Sequence, residues 1–386
     1  MEVFKEAAEK LAGDYLFFIE YIKNNEIKLS PGTERIGKKD CFALNQHMQT
    51  VKENYPKVGR TQDFFTVIDF FYFFSVRGDI CRIVKKPGKG LTMDVTERYR
   101  TFAEMTAVEQ YLLMMAVGFG EYIYALNKAV TFFGFDMLFP RIPETKEGQP
   151  VIMRHSPQDT GIWGRFYFPE LRLVAMFGLL RLEWLEENEE DAENKFRIKA
   201  AYLTALGAKM KGLFTVDDDF RFAPDMEKAF TAITKAGGLE NDGMKKRLFA
   251  FWNPKVKRGQ NIIELKIELG SCVRIIEIGD QYTLDDLSYL ILKSVDFDDN
   301  HLYYFQIGSG NAGKRFYAPE CAEVYDTGIS LAELKLFEGM KMEYVYDFGD
   351  MWQFEITVWR ITAGTIEECR IEKVKGENPE QYSDEW

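Results

Sequence analysis

A chain of 386 residues exceeds one ordinary core and predicts two or three domains. Hydrophobic and charged fractions of 46% and 28% are those of a globular protein, and five scattered cysteines without a CxxC pair exclude a disulfide scaffold. The net charge of −12 is uneven: residues 255–386 hold 14 Lys and Arg against 25 Asp and Glu, which disfavours nucleic acid there, while 28–100 hold 14 against 8 and keep it open.

The 32 Phe, 19 Tyr and 6 Trp promise large buried areas. No apolar run approaches the roughly 18 residues of a membrane span. Charges fill MEVFKEAAEK, where a signal peptide would be apolar, so a cytoplasmic location and no membrane contact are expected.

In chain order, a first helix is predicted over about residues 2–24, with Val3, Ala7, Leu11, Tyr15, Phe18 and Ile22 on one face. A strand-like piece broken by Pro31 and Gly32 follows, then a helix in KKDCFALNQHMQTV. A third helix lies in TQDFFTVIDFFYFFSVRG, with Thr61 as its expected N-cap and Gly78 as its stop. DICRIV and LTMDVT read as two strands round a KKPGKG turn. Helix–strand–helix–helix–strand–turn–strand is the plan of a winged helix. Lys85, Lys86 and Lys89 at the turn form either a wing for nucleic-acid phosphates or, the preferred reading, a solvated lysine turn. The helix before them is apolar on every face, so it is expected to be buried rather than to read bases.

A large helix over about 107–127 precedes the aromatic TFFGFDMLFPRIP and a loop marked by Pro140, Pro143, Gly148 and Pro150. The helix PELRLVAMFGLL, strand LLRLEWL, polar loop EENEEDAEN (186–194), strand FRIKAAYLT and TALGAKMKGLF then repeat the ending of the first module. They predict a second winged-helix-like module. Composition turns strand-rich across FWNPKVKRGQN at 251–261, so the domains expected are 1–145, 151–250 and 255–386.

In the last of these, IIELKIEL and CVRIIEI read as strands, with alternation clear in Ile263, Leu265, Ile267 and Leu269 and again in Phe354, Ile356 and Val358. Thr283 caps the helix TLDDLSYLILKSV, with Asp286 completing a relative of the capping box. HLYYFQIG, MEYVYDF and WQFEITVWRI are further strands, with a short helix SLAELKLF between the first two. The fold class is therefore α+β. A mostly helical N-terminal half precedes a mixed sheet covered on one face by a helix.

Three segments carry a family likeness: IIELKIEL, YTLDDLSYLILKSVDFDDNHLYYFQIG and YDFGDMWQFEITVWRI, with the tail GENPEQY. Over about 260–382 the chain resembles the plasmid pRiA4b ORF-three-like family, also labelled a transposon passenger protein of the TnpR type. DDNHLYYFQIG and YDFGDMW are the most specific pieces. The resemblance implies a fold and, for some members, association with mobile elements; it implies no chemistry. Family members usually place an acid before the tryptophan of the second motif and Glu-His after it. Met351, Gln353 and Phe354 stand there in this chain.

Other motifs have plainer readings. GSGNAGKR, Gly308 to Arg315, fits the start of a P-loop, but Arg315 replaces the hydroxyl residue and Pro319 discourages the helix, so it reads as a sheet loop. Asp347-Phe348-Gly349 lacks the companions of a kinase motif and reads as a strand turn. In that turn Gly349 would supply a positive φ, and Asp347 and Asp350 would supply turn hydrogen bonds. Asp296, Asp298, Asp299 and His301, with Asp347 and Asp350 as expected neighbours, suit a divalent metal and hydrolysis, or else a polar helix-to-strand connection. His47 falls in a helix and His155 in a loop, which leaves no zinc or nucleophile set. Trp352 and Trp359, seven apart on a strand, face opposite sides, so one is expected in a groove or exposed.

No coherent catalytic set emerges and no cofactor is expected. The leading expectation is a non-enzymatic interaction or adaptor protein with a protein partner or self-association. Nucleic-acid binding of mobile-element origin through the N-terminal half is the first alternative. A metal-dependent hydrolase centred on Asp298, Asp299, His301 and Asp347 is the second.

Overall fold

The computed structural model describes residues 2–31, 33–123, 140–153, 169–184, 198–214, 226–253, 258–307, 314–321, 326–334 and 336–382. His155, the acidic run 186–194, most of TFFGFDMLFPRIP and the glycine run 308–313 lie outside them. The chain divides into two compact units, Met1–Ile83 with Gly88–Asn253, and Pro254–Trp386 with Val84–Pro87.

The first unit opens with α1 (Glu2–Asn25), whose Leu11, Tyr15, Phe18 and Ile22 are buried as their spacing requires. A short bridge from Lys28 to Thr92 precedes α2 (Lys38–Asn45), α3 (Thr66–Arg77) and a hairpin of β1 (Cys81–Lys86) and β2 (Gly90–Val95). The third helix starts later than its sequence suggests. Thr61 heads a 3-10 turn and binds the Asp63 side chain, and Phe65 is the N-cap of α3. Gln62 accounts for the delay: its side chain accepts from Ile36 N and donates to Asp69, both at 2.8 Å, which anchors the turn in the core.

Ten of the twelve residues of α3 are buried. Its one carboxylate, Asp69, is held by Arg35, by Gln62 and by the Tyr122 hydroxyl at 2.7 Å. Around it Tyr15, Phe70, Phe71, Phe74, Phe102 and Trp252 meet mostly edge to face, the geometry aromatic quadrupoles favour.

After α4 (Arg98–Ala103), a capping box of Thr106 and Glu109 opens α5 (Ala107–Val117), which passes into one π-helical turn, Gly118–Tyr122. Gly118 is required there, because a Cβ would sit 2.8 Å from the Phe177 ring. The wider turn directs Glu121 to Arg77 Nε at 2.7 Å and Trp252 Nε1 at 2.8 Å.

Next come α6 (Arg141–Glu144), β3 (Pro150–Met153), α7 (Pro169–Met176), β4 (Leu180–Trp184), β5 (Ile198–Leu203) and α8 (Ala205–Lys209). The strands form an antiparallel sheet in the order β3-β5-β4. An earlier extended segment thus pairs with the second hairpin strand in both places, Lys28 with β2 and β3 with β5. The helices α9 (Met226–Gly237) and α10 (Asp242–Trp252) complete the unit. Arg172 of α7 reaches Glu53 at 2.8 Å, and both side chains are only 2% exposed. Burial also raises the nearby Glu170 carboxyl to about 7.

The second unit is a seven-stranded sheet carrying one long helix. Its strands are β6 (Asn261–Leu269), β7 (Cys272–Gly279), β8 (Tyr303–Ile307), β9 (Lys314–Tyr317), β10 (Lys341–Tyr346), β11 (Trp352–Ala363) and β12 (Arg370–Lys375), and the helix is α11 (Leu284–Val295). The order is β12-β7-β6-β11-β10-β8-β9. Every strand-to-strand pairing among the described residues is antiparallel, in place of the expected mixed sheet, and the one parallel contact among them is an isolated bridge from Tyr317 to Asp326. The cause is the path after α11: β8 does not return beside β7 but lies against β10, so the crossover creates no parallel neighbours.

The reciprocal capping box of Thr283 and Asp286 starts α11. Its Leu284, Leu287, Ile291, Leu292 and Val295 pack on the alternate residues Ile263, Leu265 and Ile267 of β6, Ile276 and Ile278 of β7, and Phe354, Ile356 and Val358 of β11. Full burial of each such side chain contributes about 1.5–3 kcal/mol.

Candidate functional site

The corner where α11 ends gathers the acids, the histidine and the YDFGDM turn. The helix stops at Asp296, in the left-handed region with φ 58°, and the chain turns back through Phe297 to Asp298. The β10–β11 turn sits beside it, because Asp347 N donates to Leu302 O at 3.0 Å and so extends the β8–β10 ladder by one bond.

In this turn the left-handed residues are Asp347, φ 57°, and Met351, φ 54°, rather than the expected Gly349. The Asp347 carboxylate accepts from Gly349 N at 2.8 Å, an Asx turn that stabilises aspartate in this conformation. Asp347 also faces His301, Nδ1 to Oδ2 at 3.5 Å.

The tail GENPEQY, noted in the sequence only for its family likeness, supplies the remaining partners. Tyr382 donates its hydroxyl proton to Asp298 Oδ2 at 2.6 Å, Gln381 Nε2 donates to Oδ1 at 2.9 Å, and Asp298 N donates back to Gln381 Oε1 at 2.7 Å. The Tyr346 hydroxyl donates to Asp298 O at 2.6 Å and shares that proton with Oδ1 at 3.0 Å. His301 Nε2 lies 3.0 Å from the Tyr382 oxygen, and that hydroxyl, its proton spent on Asp298, accepts there.

Further back, the buried Arg274 donates to Lys375 O at 2.8 Å and to Asn378 Oδ1 at 2.6 Å, and Asn378 donates to Asp296 at 2.7 Å. The tail is therefore fastened to both acids that follow α11. One sequence signal was available: Arg274 alternates with Cys272 and Ile276 on the core-facing side of β7, a place where arginine needs dedicated partners.

Hydrogen bonds, first from Tyr382 and then from Gln381 and Tyr346, lower the Asp298 carboxyl to about 2. Donation to that carboxylate raises Tyr382 to about 12. A carboxylate so acidic, with its lone pairs already engaged, is a poor general base at neutral pH. Because the folded value lies below the ordinary one, this latch is complete above about pH 4 and fails as pH falls through about 2. The Tyr382 ring resonances are expected to shift toward free-tail values across that window and to be flat in Asp298→Asn. A wild-type resonance unchanged to pH 2 would contradict the latch.

The other candidates stand as follows. Asp299 and Asp350 are exposed and have no hydrogen bond or ion pair among the described residues. Trp352 is half-buried, edge-on to Phe297 at 4.9 Å, with its Nε1 buried and without a hydrogen-bond partner among the described residues, whereas Trp359 is exposed. Lys85 and Lys86 end β1, and Lys89 in the hairpin turn is paired with Glu26 at 2.7 Å. Lys314 and Arg315 lie in a strand, where a P-loop needs a helix. Among the described residues no three His, Cys, Asp or Glu side chains are grouped to hold a metal, and no helix is long and apolar enough to cross a membrane.

Of the eleven large hydrophobic side chains exposed among the described residues, four belong to the segments that build this corner: Leu302, Phe348, Met351 and Tyr382. Phe348 lies against Tyr304, ring centroids 6.0 Å apart, and Met351 N closes the turn on Asp347 O at 2.7 Å.

Comparison with known proteins bears on this unit. Residues 260–381, the C-terminal region, match the family described as Plasmid pRiA4b ORF-3-like protein. Among solved structures, the chain is similar to a crystal structure of a protein of unknown function from Methanosarcina mazei Go1. That match is 21% identical, covers 29% of this chain and 68% of the other, and has a TM-score of 0.25. No curated protein matches the chain.

Proposed function

We propose that the protein works by binding a protein partner rather than by catalysis, and that the corner formed by Leu302, Phe348, Met351 and Tyr382 is its contact surface. The observation that carries this reading is how the polar groups are used. Asp298 accepts from Tyr382, Gln381 and Tyr346, Asp347 accepts from Gly349 N, and His301 bonds Tyr382, so the acids and histidine fasten the corner together. Among its exposed side chains are the large apolar Leu302, Phe348 and Met351 and the aromatic Tyr382, and exposed apolar surface is what an interaction site offers.

The same reading takes 1–145 and 151–250 as tandem winged-helix-like modules and 255–386 as the binding domain of a cytoplasmic protein of mobile-element origin. Burial of α3 and the pairing of Lys89 with Glu26 weigh against nucleic acid as the ligand of the first module.

The test compares affinity capture from host extract by wild type and by Phe348→Ser/Met351→Ser, with thermal melts to confirm that both are folded. A discrete set of proteins captured only by wild type is expected. Identical capture by the two, or salt-sensitive DNA binding by fluorescence anisotropy, would overturn the proposal.

A further inference from the structure

Three acceptor oxygens at this corner draw on two side chains, Tyr382 and His301, for their protons. Two belong to carboxylates, Asp298 Oδ2 and Asp347 Oδ2, and the third is the Tyr382 hydroxyl oxygen. Tyr382 gives its own proton to Asp298 at 2.6 Å, so its 3.0 Å bond to His301 Nε2 needs a proton on that nitrogen. The other ring nitrogen, Nδ1, lies 3.5 Å from Asp347 Oδ2, while Asp347 Oδ1 is engaged by Gly349 N.

A neutral imidazole has one proton for these two positions. With the proton on Nε2, a bare Nδ1 lone pair faces a carboxylate whose side chain is only 11% exposed. With it on Nδ1, Nε2 must take the hydroxyl proton of Tyr382, and Asp298 loses it. The imidazolium alone serves both sides at once. The groups round the ring come from four pieces of chain: Asp347 in the β10–β11 turn, Tyr346 of β10 edge-on at 5.8 Å, Tyr382 of the tail, and Asp298 on the far side of that hydroxyl. Asp350 acts on the Tyr382 hydroxyl by its charge, and Lys293 lines a depression at the end of α11 with Asp296, Asp298 and Asp299. Among the described residues Asp347 alone is in ion-pair range of the ring.

We infer that His301 is a proton-operated catch for the tail: with both ring nitrogens protonated it holds Tyr382 in place against Asp298, and on losing one proton it lets residues 377–382 loosen. This goes beyond the binding reading above and does not depend on it. The seated tail keeps a proton on His301 that a free tail does not require, so raising the pH releases it, across the range in which histidine changes charge, about pH 5–8. The Asp298 bonds fail at the opposite end, in strong acid. The tail is therefore held most firmly between the two.

Amide exchange of 377–382, corrected for its intrinsic pH dependence, is measured from about pH 5.5 to about pH 8.5 in full-length wild type, His301→Gln and Asp347→Asn. The side-chain nitrogen resonances of His301 are followed alongside. In wild type, protection is expected to fall about fivefold as those nitrogens pass from the imidazolium to the neutral pattern. His301→Gln has no group to titrate there, so its protection should be flat. Asp347→Asn still accepts from Gly349 N and keeps the turn, but it lacks the charge that favours the imidazolium, so its tail should loosen at lower pH than wild type. Protection of β6, β7 and β11 should stay constant throughout, which separates release of the tail from unfolding. A wild-type tail equally protected at both ends of the range, or the same pH dependence in His301→Gln, overturns the inference. So does a neutral His301 ring at a pH where the tail is fully protected, or an Asp347→Asn tail that follows the wild-type curve.

Discussion

Arg172→Met is expected to destabilise the first unit by about 3–5 kcal/mol at pH 8, because it strands Glu53 inside the fold. Burial is the largest influence on the Glu53 carboxyl and pushes it upward, and Arg172 is the main opposing one. Without the guanidinium the acid has two costly choices, a bare charge in the interior or uptake of a proton from solution. The second becomes cheap in acid, so the penalty should shrink as pH falls. The double variant Arg172→Met/Glu53→Leu should regain most of the loss, since two apolar groups of similar volume need neither desolvation nor each other. Hydrogen exchange of 40–80 and 169–176 under increasing urea measures all three proteins. A single variant as stable as wild type at pH 8, or a double variant no better than the single, would show that the pair is not coupled.

This pair also marks where sequence reading stops. Local rules found what local physics decides. Thr283 and Asp286 form their capping box, β6 and β11 bury alternate residues, and the helix that is apolar on every face is buried. Glu53 and Arg172 lie more than a hundred positions apart, and nothing in either neighbourhood announces the other. The same holds at the corner. Asp298, His301 and Asp347 are conspicuous as a cluster of acids with a rare histidine. Gln381 and Tyr382, which complete the network, come from a polar tail of no evident periodicity.

The turn shows a subtler limit. Gly349 is the residue to which a positive φ is assigned by default, but the side-chain bond from Asp347 to Gly349 N moves that conformation onto the aspartate. Strand direction was equally hidden, because an intervening helix permits either a parallel return or, as here, passage to the far side of the sheet.

Arg274→Met is the change expected to do most to the second unit, since one side chain there ties together three pieces of chain. Its guanidinium donates to Ser294 O at the end of α11, to Val273 O in its own strand, and to Lys375 O and Asn378 Oδ1 at the start of the tail. Methionine fills similar volume but leaves these acceptors without their donor, at a cost of about 3 kcal/mol or more. Arg274→Lys keeps the charge but has a single nitrogen with three protons and no fork, so it should recover only part of the loss. The tail separates the two effects. Asn378 loses its anchor in either variant, so exchange at 376–382 should accelerate in Arg274→Lys while β6, β7 and β11 stay protected, and Tyr382 should leave Asp298 and His301. Binding at the corner would then weaken without any change to Phe348 or Met351, making Arg274 a positioning residue for a surface it does not touch. If the tail stays protected in Arg274→Lys, then Asn378, Gln381 and Tyr382 hold it unaided, and the role of Arg274 ends at the core of the sheet.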